Sequence, residues 1–160
     1  MKRGRENPTV VAKEVMEMTN AREISNRFTE AIGAHDANAI GALFAEDAVF
    51  SEPAGTFEGR DAIVQYWQRF FEAFPDLSVR DELKADTPDS AVNEWSATGT
   101  NAGSMETPEG TIPATGRRVT IRGCDIVTVQ EGRIQAHRAY YDQLSLMEQL
   151  GLVPEGAATS

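Results

Sequence analysis

Between Val119 and Val129 the chain alternates with period two. Val119, Ile121, Gly123, Asp125, Val127 and Val129 take one parity, and Thr120, Arg122, Cys124, Ile126 and Thr128 take the other, the signature of a strand. Asp125 falls on the apolar parity. A Glu131-Gly132 turn leads into a second run, Arg133 to Tyr141, so the two runs predict an antiparallel hairpin. A carboxylate on the inner face of a sheet costs several kcal/mol unless it is hydrogen-bonded, paired or facing a wet cavity, roughly as for any buried charge. The pattern therefore points to a pocket. If the last strand is regular, His137, Ala139 and Tyr141 share one face while Arg138, Tyr140 and Asp142 share the other.

The earlier half is helical. Residues 1 to 18 are charged and carry Pro8, and are expected to be a flexible extension; the domain is expected over 19–153, with a short tail over 154–160. Thr19 or Asn20 can cap a helix in which Ile24, Phe28, Ala31 and Ile32 recur at helical spacing up to Gly33. Asp36 can cap a short helix over 37–44, and a short β-like element follows over 48–52. Pro53, Gly55 and Gly59 mark a loop. Beyond it Asp61 opens a helix with Ile63, Val64, Trp67, Phe70, Phe71 and Phe74 along one stripe, ended by Pro75. Strands are expected over 77–85, 91–100, 117–130 and 133–141. The turn-rich text NAGSMETPEGTIPATG reads as a long hairpin connection or flap, and 143–150 as a closing helix stopped by Gly151 and Pro154. Helices first and long antiparallel strands afterwards is the α+β ordering, with helices covering one face of a curved sheet.

Composition narrows the partners. At 160 residues the chain has the length of about one domain, and its net charge of −10 lacks the basic face a nucleic-acid binder needs. An anionic membrane would repel it. No uninterrupted apolar run is long enough for a span, because Lys13, Glu14 and Glu17 break up the stretch from Val10 to Met18. The single cysteine, Cys124, excludes an internal disulfide or a multi-cysteine metal site and fits a reducing cytoplasm. Two histidines without a cysteine cluster argue against zinc, so no metal and no cofactor are expected.

The order of elements, together with FAEDAVFSEPAGTFEGRDAIVQYW, AFPDLSV, EWSATGTNAG, TGRRVTIRGCDI and GRIQAHRAYYDQLSLMEQLG, resembles the SnoaL-like polyketide cyclase family. That family belongs to the superfamily of cone-shaped α+β folds named after nuclear transport factor two, with its curved antiparallel sheet often described as an α+β barrel. The resemblance covers about 20–153. It implies a cofactor-independent enzyme that removes a proton next to a carbonyl and closes a ring by intramolecular aldol chemistry. It implies a small hydrophobic or aromatic carbonyl ligand and a homodimer through the sheet. A binding protein that keeps the cone without catalysis is the alternative. Ketosteroid isomerase-like chemistry fits less well, because the first helix offers Phe28 where those enzymes carry a donor tyrosine. Epoxide hydrolase-like chemistry is disfavoured too: Ala139 stands where that family has a catalytic aspartate, and VNEWSA offers only Glu94 with no arginine nearby in sequence.

On this resemblance Asp142, after the last strand, takes the place of a general-base aspartate. From its residues alone it is equally a helix N-cap for 143–150. His137 is a candidate general acid, donor to an enolate or positioning group, or a structural histidine. Asp125 is either a second pocket acid or the partner of Arg122, Arg133 or Arg138. Phe50, Trp67, Phe71, Trp95, Tyr140 and Tyr141 are candidates to line a hydrophobic site or to be core. Asn101 stands where SnoaL-like relatives commonly carry histidine and is kept as a substrate-binding candidate. His35, in a turn with Asp36, is expected to be exposed.

Overall fold

The computed structural model describes residues 8–107 and 109–153, so residues 1–7 of the expected extension and the whole of the expected tail lie outside the described residues. Helix α1 runs from Pro8 to Gly33, through the segment expected to be flexible, and Thr19 and Asn20 lie inside it rather than capping it. Nothing between Pro8 and Gly33 breaks a helix, and proline is well suited to its first turn, where its missing N–H has no intrahelical partner. The short helix α2, Ala37–Leu43, begins as expected, with the Asp36 side chain accepting from the Ala39 N–H at 2.9 Å. His35 is half-buried rather than exposed. Its ring stacks on Phe71 at 4.8 Å and its Nε2–H donates to the Leu77 carbonyl at 2.9 Å.

Strand β1, Phe44–Glu52, is longer than its sequence suggested, and the Gly55–Glu58 stretch read as loop is strand β2, folded back on it as a hairpin. Helix α3, Arg60–Ala73, then packs Ile63, Trp67 and Phe71 inward. The long strands follow: β3, Ser78–Asp86; β4, Ser90–Thr100; β7, Arg118–Gln130; and β8, Arg133–Tyr141. Between β4 and β7 the turn-rich text forms a small separate hairpin, β5 Met105–Thr107 with β6 Gly110–Ile112. The turn joining β7 to β8 places both Glu131 and Gly132 at positive φ, 51° and 75°, the two-residue geometry whose twist matches a hairpin. Helix α4, Gln143–Gln149, closes the chain.

The main sheet runs β2-β1-β8-β7-β4-β3. Neighbours are antiparallel except β1 and β8, which run parallel. Register shifts in the β1–β8, β3–β4 and β7–β8 pairs mark bulges, which bend strands and curl the sheet into an open cone rather than a closed barrel. Helix α1 lies across the concave side through Ala21, Ile24, Phe28, Ala31 and Ile32, and shares the core with Phe44, Trp67 and Val127. The burial of these aliphatic and aromatic side chains supplies the main favourable term of folding.

Candidate active site

Register brings the polar groups of the cone together. On β4 and β7, Asn93 stands directly opposite Asp125, and Trp95 opposite Gly123. On β7 and β8, Asp125 pairs with Ala139 and Val127 with His137, so His137 is the diagonal neighbour of Asp125 on the same face. The pleat parity expected of β8 holds: His137, Ala139 and Tyr141 face the cavity, while Tyr140 is exposed. Gly123 has a steric reason. A Cβ there would sit 2.4 Å from the Trp95 ring, so only glycine lets that indole lie across β7 into the cavity.

The centre of the site is a buried hydrogen-bonded row. His137 and Asp125 are 2% and 6% exposed, and His137 Nε2 meets Asp125 Oδ2 at 2.9 Å. Asp125 Oδ1 accepts from Asn93 Nδ2 at 2.6 Å, and the same amide donates to Ser25 Oγ at 3.0 Å. The Asn93 amide is fixed in this orientation because its Oδ1 accepts from the Arg22 guanidinium; turned over, it would set N–H groups against a cation. Arg22 is itself held by Asp86 and by the carbonyls of Ala85 and Val92. A carboxylate can only accept, so His137 donates through Nε2–H, and the neutral ring carries its lone pair on Nδ1. Phe28 meets that ring edge-on at 4.7 Å and Phe50 stacks on it at 4.9 Å. His137 Nδ1 and Trp67 Nε1 are both buried without a hydrogen-bond partner, although buried polar atoms nearly always have one. Both residues line the cavity.

A second polar cluster sits in the same cavity. Tyr141 donates to Glu52 Oε2 at 2.7 Å, and Tyr66 lines the same pocket and interacts electrostatically with Glu52. Burial pushes the Glu52 carboxyl up from its ordinary value, outweighing the Tyr141 hydrogen bond, the Tyr66 hydroxyl and the nearby His137, which pull the other way. Burial and the Glu52 carboxylate push both tyrosine hydroxyls up, so they remain donors. The remaining lining is mainly apolar or aromatic, including Phe28, Phe50, Phe70, Phe74 and Trp95, and contains no lysine or arginine among the described residues.

The sequence candidates divide accordingly. Asp125, His137, Phe50, Trp67, Trp95 and Tyr141 meet at the cavity. Four do not. Phe71 packs on His35, and Tyr140 points outward at 55% exposure. Asn101 is fully buried but structural: its Oδ1 accepts from the Thr115 N–H and hydroxyl, and its Nδ2 donates to the Gly103 carbonyl. Asp142 is exposed and accepts from the Ser145 N–H at 2.9 Å, which is the N-cap of α4 and not a cavity group. Nor does Asp125 pair with the arginines considered for it. Arg122 bonds Glu82 and Glu94 on the exposed side of the sheet, and Arg133 donates to the Ala42 carbonyl. Glu94 thus gains an arginine, but away from the cavity. Glu52, Tyr66, Asn93, Ser25 and Arg22 escaped the sequence analysis; for Asn93 the usable signal was its even spacing from Ala91, Trp95 and Ala97 on the inward parity of β4. Among the described residues no group of three or more histidine, cysteine, aspartate or glutamate side chains could hold a metal.

Comparison with known proteins gives the family and the fold of the chain. Residues 26–137 match the family model described as the SnoaL-like domain. No protein of curated function gives a significant match. Among many similar solved structures, a candidate SnoaL-like polyketide cyclase from Jannaschia sp. CCS1 is 18% identical with a TM-score of 0.75, covering 95% of this chain and 100% of that one. The candidate polyketide cyclase IdmH from Streptomyces antibioticus is 26% identical with a TM-score of 0.66, covering 82% and 98%. A protein of ketosteroid isomerase-like fold from Catenulispora acidiphila, solved with trimethylamine, is 22% identical with a TM-score of 0.68, covering 82% and 94%.

Proposed function

We propose that this chain, which belongs to the SnoaL-like domain family, is a cofactor-independent enzyme that removes a proton from carbon beside a carbonyl, with His137 as the base and Asp125 as the group that orients it. The observation that carries this is the pairing of His137 Nε2 with Asp125 while Nδ1 stays buried, unpartnered and in a residue lining the cavity. A carboxylate on one ring nitrogen fixes the tautomer and stabilises the imidazolium formed when the other nitrogen takes a proton. Trp67 Nε1–H, equally unpartnered, is a donor for the oxygen on which the enolate charge develops. An aromatic lining with few polar groups favours a small hydrophobic or aromatic carbonyl compound. Intramolecular aldol closure follows if a second carbonyl lies within reach of the enolate carbon. The names of the similar cyclase-type structures support that version.

The test is proton exchange. In D2O, aryl β-keto esters incubated with the protein should gain deuterium at the carbon between the carbonyls, read by NMR, and His137→Gln should reduce the rate by about 100-fold or more. Binding of the same esters without exchange would instead make the chain a small-molecule binding protein. The reading also includes a homodimer through the exposed side of the sheet, where Leu83 is 62% exposed beside Ala85, Val92 and Cys124, and a cytoplasmic location in keeping with a free thiol. Light scattering that gave only a monomer at micromolar concentration would remove the dimer.

A further inference from the structure

We infer that Glu52 is the proton donor of the same site, working opposite His137 under the protection of Tyr66 and Tyr141. The inference rests on the base reading of His137 and adds a second catalytic residue to it. Three elements converge here: Glu52 ends β1, Tyr66 lies on α3 and Tyr141 ends β8, and all three side chains line the cavity that holds His137. The carboxyl faces Tyr66, Tyr141 and His137, with Asp125 of β7 as the remaining ionisable group of the lining. Neither tyrosine competes for the donor role, since burial raises both hydroxyls and makes them weaker acids than the carboxyl, and that of Tyr141 is already spent on Glu52. Burial raises the Glu52 carboxyl, so its proton persists to higher pH than on an ordinary glutamate. Two titratable groups in one cavity, one free to accept and one biased to hold its proton, is the arrangement that separates acid from base.

The step balances without a co-reactant. His137 Nδ1 takes the proton as the C–H bond breaks, and the electron pair moves to the carbonyl oxygen as an enolate. The enolate carbon then bonds to a second carbonyl carbon of the same molecule, whose π electrons become an alkoxide. Glu52 gives its proton to that alkoxide, and the Tyr141 and Tyr66 hydroxyls stabilise the carboxylate left behind. The imidazolium proton finally returns to Glu52, directly or through water, and resets both groups.

The probe is an aryl alkyl diketone whose two carbonyls are tethered so that closure gives a cyclic β-hydroxy ketone, separated from the diketone by chromatography, with deuterium uptake in D2O measured on the same compound. Glu52→Gln keeps the shape and an acceptor for Tyr141 but has no proton to give. Ring closure should fall by about 100-fold while deuterium uptake stays within about 3-fold of wild type. Wild-type closure should also decline as pH rises through the raised Glu52 value, and this limb should vanish in Glu52→Gln. Circular dichroism checks that the variant is folded, and Tyr141→Phe, which retains the carboxyl, should keep the limb but move it to higher pH. Unchanged closure in Glu52→Gln, or closure and uptake falling together, overturns the donor role. No uptake in wild type overturns the His137 reading and this one with it, which separates that failure from a failure of Glu52 alone.

Discussion

Asp125 and Asp142 belong to the same C-terminal hairpin and helix, yet they occupy opposite kinds of site. Asp125, in the middle of β7, is 6% exposed and accepts from His137 and Asn93. Asp142, one residue past β8, is exposed and accepts from a backbone N–H of the helix it starts. The side chains are identical, so the difference comes from the pleat. Asp125 shares parity with Val119, Val127 and Val129, whereas Asp142 shares parity with the outward-facing Tyr140. The lesson is that a carboxylate acquires chemistry from what a strand's register sets beside it. A match to a family's terminal motif says less about its role.

The comparison breaks most readily at Asp125. Asparagine there has the same shape but brings an N–H group to a place where both neighbours already donate. If that group faces His137, the ring must turn its accepting nitrogen to it, and Nδ1 then carries the proton and cannot act as base. If it faces Asn93, two donors confront each other in a buried site. Proton exchange should therefore fall by about 10² to 10⁴-fold in Asp125→Asn, by the usual range for a general base. Stability should fall by about 1–3 kcal/mol, the cost of a buried unsatisfied polar group, measured by urea denaturation. An exchange rate close to wild type would show that Asp125 is merely a satisfied core acid.

Much of this contrast was legible in the sequence. The alternation through β7 put Asp125 on the apolar face, the parity of β8 set His137 and Tyr141 on one face without saying which faced in, and the Asp36 cap, the α3 stripe and the Glu131-Gly132 turn all follow local chemistry. What escaped depends on pairing between distant segments. Asn93 becomes a partner of Asp125 only once β4 and β7 are in register, and Glu52 meets Tyr66 and Tyr141 only where β1, α3 and β8 converge. Strand β2 was hidden because glycine and proline around it read as loop, while its stability comes from pairing with β1. Asn101 misled for the converse reason: it matches the place of a family's polar residue, but here its amide secures the loops at Gly103 and Thr115.

Asp142 provides the sharper and smaller effects. Its side chain satisfies one of the N–H groups that every helix leaves open at its first turn, so Asp142→Ala should lower stability by about 1 kcal/mol, seen as a shift of the urea midpoint. Asparagine caps a helix about as well as aspartate, because a carbonyl oxygen accepts the same hydrogen bond. Asp142→Asn should therefore leave both stability and proton exchange near wild type. A general base could not survive that change, since an amide has no basic site of comparable strength. The same substitution made at positions 125 and 142 thus gives a large effect at the first and almost none at the second. An exchange rate lost in Asp142→Asn would return the base to the end of β8 and reduce His137 to a buried structural histidine.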